Sequence, residues 1–165
     1  MMPTGDGQDE DAMRQELRRL YEDLRDAIAS HAPVCRVSGR CCRFVEYDHV
    51  LFLTEPECDL LVSEGPPPVR PLDEGATCPW QDDGGRCTAR EARPLGCRLY
   101  YCDPAFETAM HVLAETFVAR LKAIHHAHGR AWSYAPLHHH LTNAVEAGRW
   151  SGTTSQTSPE DRLNT

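Results

Sequence analysis

Apolar residues recur at helical spacing in two segments, one near each end of the chain. In the first segment the apolar positions are separated by three or four residues: Met13, Leu17, Leu20, Leu24 and Ile28. Charged residues occupy most of the positions between them, which is the pattern of an amphipathic helix with one apolar stripe. We predict this helix from about Asp11 until Pro33 ends it, because the residue before a proline disfavours helical geometry.

The second segment begins at Asp103-Pro104, a helix-capping residue followed by a proline that fits the first helical turn. Its apolar positions also follow helical spacing: Phe106, Met110, Leu113, Phe117, Leu121 and Ile124. Gly129 ends the pattern, as glycine often does after a helix. We expect the stripes of the two long helices to pack against each other.

Shorter elements are predicted between the two long helices. Residues 47–53 are rich in β-branched and aromatic side chains, which favours a short strand or an extended segment. Thr54-Glu-Pro-Glu57 has the composition of a capping box, and predicts a helix that runs to about Ser63. Residues 65–71 contain four prolines, so we expect a stiff loop there.

The chain has 165 residues, which is long enough to bury a modest core. We predict one domain over residues 11–150. A last short helix over 137–150 is expected to turn Leu141, Val145 and Trp150 inward. Residues 1–10 and 151–165 are polar or acidic, and we predict that both are disordered.

Seven of the eight cysteines fall in two blocks between the long helices. Their positions are Cys35, Cys41 and Cys42 in the first block, and Cys78, Cys87, Cys97 and Cys102 in the second. Glycine and proline interrupt both blocks, so irregular loops are expected. The predicted fold class is mainly α with irregular metal-binding loops: a small α+β-like domain whose N- and C-terminal helices pack around a cysteine-rich loop core.

Composition limits the function classes. The formal charge of −8 argues against a nucleic-acid partner, which requires a clustered basic face. No run approaches the roughly 18 apolar residues of a membrane span, so we expect no membrane partner. The N-terminus lacks a basic and apolar leader, which favours a cytoplasmic protein. In that compartment eight cysteines favour metal binding or redox chemistry over structural disulfides.

The spacing of the cysteines narrows the type of site. Successive cysteines are separated by 5, 0, 15, 19, 8, 9 and 4 residues, which excludes the usual zinc-finger and bacterial-ferredoxin spacings. Thiolates are soft ligands that favour zinc, copper(I) or iron–sulfur clusters. Seven of them exceed the four that one tetrahedral ion needs, which favours either a polynuclear site or cysteines outside the coordination sphere.

Other reactive side chains receive ordinary structural interpretations. Cys58 stands alone on a predicted short helix, where a cysteine is usually a small buried hydrophobe. The histidines of the C-terminal half are interpreted as exposed residues or as charges at a helix end: His111, His125, His126, His128, His138, His139 and His140. No catalytic acid–base set is identified, and Glu57 is interpreted as a helix cap.

Four strings of residues, in this order, resemble the YkgJ-type cysteine-cluster family, whose members are described as zinc- or iron-chelating. The strings are Cys41-Cys42-Arg43, Cys78-Pro79-Trp80, Gly85-Arg86-Cys87-Thr88 and Arg93-Pro94-Leu95-Gly96-Cys97-Arg98-Leu99-Tyr100. The resemblance covers about Cys35–Cys102. It implies a metal-ligand set of Cys35, Cys41, Cys42, Cys78, Cys87 and Cys97, with Cys102 as a frequent addition. The family's first block usually reads C-x-x-C-G-x-C-C, and this chain has Ser38 in place of the second cysteine.

Three functions remain open at this point. The first is an iron–sulfur or iron protein with a redox or metal-handling role and an unidentified redox or protein partner. The second is a zinc-stabilised structural or interaction module without catalytic activity. The third is a thiol-redox protein in which Cys41 or Cys42 reacts directly.

Overall fold

The computed structural model describes residues 5–72 and 75–154. Seven helices and strands follow one another along them: α1 (Gly5–Ala29), β1 (Phe52–Thr54), α2 (Glu55–Glu64), α3 (Leu95–Leu99), α4 (Glu107–Ala127), β2 (Tyr134–Pro136) and α5 (Leu137–Glu146). Three single turns of 3₁₀ helix stand at Arg40–Cys42, Arg90–Ala92 and Pro104–Phe106. The expectation of a mainly helical chain is confirmed.

Helices α1 and α4 pack together through the two predicted apolar stripes. The shared core includes Leu17, Leu20 and Leu24 of α1 with Phe117 and Leu121 of α4, all of them buried. Burying one such side chain contributes about 1.5–3 kcal/mol, so this contact is a principal source of stability.

Helix α1 begins six residues before the predicted start at Asp11. Residues 5–10, for which disorder is predicted, belong to this helix in the structure, whereas residues 1–4 lie outside the described part. A tertiary contact explains the difference, because Asp9 Oδ1 lies 2.7 Å from His128 Nδ1 at the end of α4. Acidic residues near a helix N-terminus also interact favourably with the helix dipole.

A small antiparallel sheet joins the middle of the chain to its C-terminal part. β1 pairs with β2 in the register Phe52↔Pro136 and Thr54↔Tyr134. The predicted strand over 47–53 is thus confirmed only at its end, since residues 47–51 form no strand. β2 was not predicted, because three residues that end in a proline are too short to show an alternating pattern.

The capping box of α2 is present as predicted. Glu57 reaches back to the backbone N–H of Thr54 at 3.0 Å, and Leu60 and Leu61 are buried. The following proline-rich loop has no regular structure over residues 66–68. It lies against the second cysteine block, where Trp80 Nε1 donates a hydrogen bond of 2.7 Å to the Pro66 carbonyl.

A second core lies beneath the cysteine blocks. Its buried members include Leu53, Leu61, Leu137 and Leu141 together with Trp80, whose ring stacks on that of Trp150 at a centroid distance of 5.7 Å. The inward orientation expected for Leu141 is confirmed.

The predicted burial of Val145 is wrong, since 38% of this residue is exposed. Helix α5 ends at Glu146, one residue after Val145 and four before Trp150, so the three residues do not share one continuous helical face. Residues 151–154 carry no regular structure, and the rest of the predicted disordered tail lies outside the described residues.

Residues 95–99 form the short helix α3, although the sequence predicted irregular loop throughout the second block. Gly96 was interpreted as a chain breaker, but its missing side chain serves close packing. A Cβ at this position would lie 2.9 Å from Leu51 Cδ1, which is closer than side chains tolerate. Glycine therefore lets α3 approach the strand region.

Within residues 5–72 and 75–154, none of the helices combines the length and the apolar character that crossing a membrane requires.

Candidate metal centre

The seven cysteines of the two blocks surround two adjoining cavities. The larger, which we call the outer cavity, has a volume of about 260 Å³, and its cysteines are Cys35, Cys41, Cys42, Cys87 and Cys102. The smaller, which we call the inner cavity, has a volume of about 30 Å³, and its cysteines are Cys41, Cys42, Cys78, Cys87 and Cys97. Three cysteines border both cavities, so the two spaces form one thiol-lined region.

A tight turn positions the first block. Gly39 has φ of +70°, and a Cβ there would lie 2.5 Å from Gln81 Nε2 and 2.8 Å from the Gly85 carbonyl oxygen. Only glycine suits such a crowded, left-handed position. The 3₁₀ turn that follows brings Cys41 Sγ and Cys42 Sγ to 3.8 Å from each other.

Backbone hydrogen bonds join the two blocks. The Cys78 N–H donates to the Cys42 carbonyl at 2.8 Å, and Gln81 Nε2 donates to the Gly39 carbonyl at 3.0 Å. The predicted turn at residues 82–85 is confirmed, because the Gly85 N–H donates to the Asp82 carbonyl at 3.0 Å. Cys87 consequently stands on the arm opposite Gln81, with which it forms a β-bridge.

Cys97 and Cys102 are supplied by α3 and the segment after it. Cys97 occupies the middle of α3, and the Leu95 N–H at the start of this helix donates to Glu57 Oε1 at 2.9 Å. Cys102 Sγ lies 3.2 Å from Ser38 Oγ. Ser38 therefore faces the outer cavity and one of its thiols.

Contact among the thiols and their burial oppose ionisation of the free thiols. The hydrogen bond with Cys42 and burial raise the pKa of Cys41. For Cys42, the contact with Cys41 lowers the pKa, but the contact with Cys78 and burial outweigh it and raise the pKa to about 12. Burial and then the neighbouring thiols raise the pKa of Cys97 well above its ordinary value, while the Arg93 charge opposes this shift.

Protonated thiols are poor nucleophiles, so these pKa shifts give no support to the thiol-redox alternative. The shifts have the opposite meaning for metal binding. A cation among the thiols would replace their protons, as coordination of cysteine requires.

Among the described residues, no group of three or more cysteine, histidine, aspartate or glutamate side chains already converges on one metal position. The cysteines share cavities without forming a finished coordination shell. Binding of an ion would thus need rotation of cysteine side chains about flexible single bonds, in the way that metal binding is usually coupled to ordering.

Cys58 and the histidines of the C-terminal half line neither cavity. Cys58 is buried in the core, as predicted. The expected exposure is wrong for His125 and His140, which are both buried. His140 Nε2 lies 2.9 Å from the Leu53 carbonyl oxygen, and His125 Nδ1 lies 3.2 Å from that of Ala131, so each has a structural partner.

Two features of the site were missed by sequence reasoning. Glu57 was interpreted only as the cap of α2, although it also receives the first N–H of α3. Arg36, Arg86 and Arg90, which line the outer cavity together with Arg93, were not identified as residues of the site. An arginine one to four residues from a cysteine was the available signal for all of these.

Comparison of the chain with protein-family models, with curated proteins and with solved structures gives no match. The cavities and the sequence motifs therefore carry the functional argument.

Proposed function

We propose that this chain is a metal-binding cysteine-cluster protein that holds an iron–sulfur cluster or iron, with a redox or metal-handling role. The observation that carries the proposal is the distribution of its cysteines. All seven cysteines of the two blocks border the joined outer and inner cavities. The eighth, Cys58, lies in the apolar core.

The chemistry of the lining fits a thiolate-bound metal. Among the residues that the structure places around the two cavities, thiols are the only side chains with the soft character that iron–sulfur clusters, zinc and copper(I) favour. These residues include no aspartate or glutamate, and Arg93 lines both cavities. Its guanidinium would offset the negative charge that several thiolates bring to one place.

The number of thiols favours a cluster over a single ion. One tetrahedral ion uses four ligands, whereas seven thiols border the cavities. Bound iron–sulfur clusters supply one-electron redox chemistry whose potential depends on nearby charge and hydrogen bonds. This chain's own part would be to hold the thiolates, to keep Arg93 beside them, and to cover them with Trp80. The resemblance to the YkgJ-type family supports the same proposal.

A zinc-stabilised module is the second candidate, and the inner cavity favours it. Charges on Cys41, Cys42 and Cys87 act on Cys97, so these four thiols are near neighbours. Four cysteines are the complete ligand set of a structural zinc ion. The volume of about 30 Å³ suits a single small guest rather than a larger cluster.

Metal analysis of the untagged protein, purified without oxygen, separates the candidates. The proposal expects iron with acid-labile sulfide, or iron alone, and an absorption band near 400 nm, roughly where thiolate-to-iron charge transfer falls. About one zinc per chain without iron would contradict the iron proposal and support the zinc-stabilised module. A protein that binds neither metal after anaerobic reconstitution would contradict both.

A further inference from the structure

The charges that line the outer cavity are of one sign. Among the described residues, four arginines contribute to the lining, namely Arg36, Arg86, Arg90 and Arg93, and no aspartate or glutamate does. The whole chain has 25 acidic residues against 17 basic ones. A concave surface with four cations and no anion therefore stands out from the average composition of the chain.

Elsewhere arginines are commonly neutralised by carboxylates. Ion pairs join Arg18 to Glu64, Arg43 to Glu46, Arg70 to Asp83, Arg120 to Asp23 and Arg149 to Asp59. The four arginines of the outer cavity have no such partner within the described parts of the chain. No carboxylate of the described residues therefore pairs with these four positive charges.

The guanidinium groups at the cavity are also available for hydrogen bonding. Arg93 donates from Nε to the Arg90 carbonyl at 2.9 Å, and its two Nη groups have no acceptor in residues 5–72 and 75–154. Arg36 and Arg86 are exposed, and no hydrogen bond from either side chain is recorded within the same residues. Arginine is the side chain best suited to bind carboxylate or phosphate through two parallel hydrogen bonds.

We propose that the outer cavity binds a small oxyanion, a molecule that carries carboxylate or phosphate groups, through Arg36, Arg86, Arg90 and Arg93. The cavity of about 260 Å³ is slightly below the range of about 300–1,000 Å³ of drug-sized pockets. A ligand of the size of a small metabolite fits this volume. The ligand would lie beside Cys35 and Cys102, at the exposed end of the proposed metal centre.

This role differs from balancing the charge of bound thiolates. Arg93 is the half-buried arginine whose charge acts on Cys41, Cys87 and Cys97. Arg36 and Arg86 are placed at the exposed rim, where a solute arriving from water meets them first. The oxyanion site goes beyond the proposed function, because these arginines can bind an anion whether or not the thiols hold a metal.

The test is a calorimetric titration of the full-length protein with succinate and, separately, with inorganic phosphate at low ionic strength. Succinamide, the uncharged analogue of succinate, is the ligand control. The variant is the double substitution Arg36→Gln with Arg86→Gln. The matched control is Arg19→Gln with Arg25→Gln, which removes the same two charges from exposed sites on α1. Iron, zinc and far-UV circular dichroism are measured on every sample.

We expect saturable one-to-one binding of succinate or phosphate and none of succinamide. The Arg36→Gln/Arg86→Gln variant should weaken binding by about tenfold or more, equivalent to about 1.4 kcal/mol, while the Arg19→Gln/Arg25→Gln control changes it less than twofold. Saturation by only one of the two anions identifies which group, carboxylate or phosphate, the cavity binds. Absence of saturable binding to either anion, or equal losses in the two double variants, would overturn the oxyanion site. The metal proposal is tested by a separate measurement, the metal analysis, and wild-type protein without iron would contradict it.

Discussion

Glu57 Oε1 accepts a hydrogen bond of 2.9 Å from the backbone N–H of Leu95, and this contact ties α2 to the helix that carries Cys97. The same oxygen accepts from the Tyr21 hydroxyl at 3.0 Å, and Oε2 accepts from Thr54. One buried carboxylate thus joins α1, α2 and α3 and helps to set the position of a candidate ligand.

Glu57→Gln should destabilise the fold by about 2 kcal/mol, since an amide group would face donors that now meet a carboxylate oxygen and would leave buried groups unsatisfied. Urea unfolding at neutral pH measures the change. Glu115→Gln, at an exposed position of α4, is the matched control and should lie within about 0.5 kcal/mol of wild type. Equal stability of the two variants would show that Glu57 does not join the three helices energetically.

Cys41→Ser should remove most of the bound metal, because Cys41 borders both cavities and serine oxygen is a much poorer soft-metal ligand. Cys58→Ala should retain the metal, although it removes a buried sulfur from the core. Metal per chain and the visible spectrum are compared on the two proteins after identical anaerobic purification. Retention of full metal content by Cys41→Ser would exclude this residue from the ligand set.

Ser38→Cys should strengthen metal retention, because it places an eighth-ligand candidate in the outer cavity opposite Cys102, where Ser38 Oγ now lies 3.2 Å from Cys102 Sγ. Ser38→Ala is the control, and it removes the hydroxyl without adding a thiol. Both proteins are challenged with a graded series of chelator under reducing conditions. The same midpoint of metal loss in the two variants would argue that position 38 lies outside the reach of the metal.

Two buried histidines should make the protein less stable as the pH falls below about 6.5, the ordinary histidine pKa. Burial lowers the pKa of His125 and of His140. Between the lowered pKa and the ordinary pKa, these histidines are therefore protonated in the unfolded chain and neutral in the folded chain. Stability is then full above the unfolded pKa and is lost as the pH falls towards the folded value. The reverse holds for His128, whose pKa is raised by Asp9 and whose contribution fades as the pH rises.

The contribution of His125 is measured from urea unfolding of wild type and His125→Gln at pH 5.5 and 7.5 (both values bracket the ordinary pKa of about 6.5). The variant should lose less stability than wild type between the two pH values. His126→Gln provides the control, since His126 is exposed in the next position of α4. An identical pH dependence of wild type and His125→Gln would mean that this histidine takes up its proton without cost in the folded state.

Periodic patterns were sufficient to predict the long helices and the cap of α2. Leu17, Leu24 and Leu121 repeat often enough to define a face, and a capping box is a local hydrogen-bond pattern. The early start of α1 was missed because it depends on a contact between Asp9 and His128, which are distant in sequence. α3 was missed for the same reason, since the N–H at its start donates a hydrogen bond to Glu57, which is distant in sequence.

The sequence was sufficient to predict the cysteines of the candidate site. It was not sufficient to predict the cavities and the charged residues around them. Spacing alone grouped Cys35 with Cys42, and Cys78 with Cys102, because each block is short. That the two blocks share one pair of cavities follows from the backbone contact between Cys78 and Cys42. That no carboxylate of the described residues pairs with Arg36 or Arg86 could not be read from the sequence, because it depends on which carboxylates the fold brings near.

The two cavities share Cys41, Cys42 and Cys87. An ion that enters from solution would therefore reach the outer cavity before the inner one. Cys35 is exposed, Cys87 and Cys102 are half-buried, and Cys42 and Cys78 are buried. An incoming ion would exchange its water for sulfur stepwise, first at the surface and last beneath Trp80. Departure would reverse that sequence, so the innermost occupant should exchange with the solution far more slowly than anything held at the mouth.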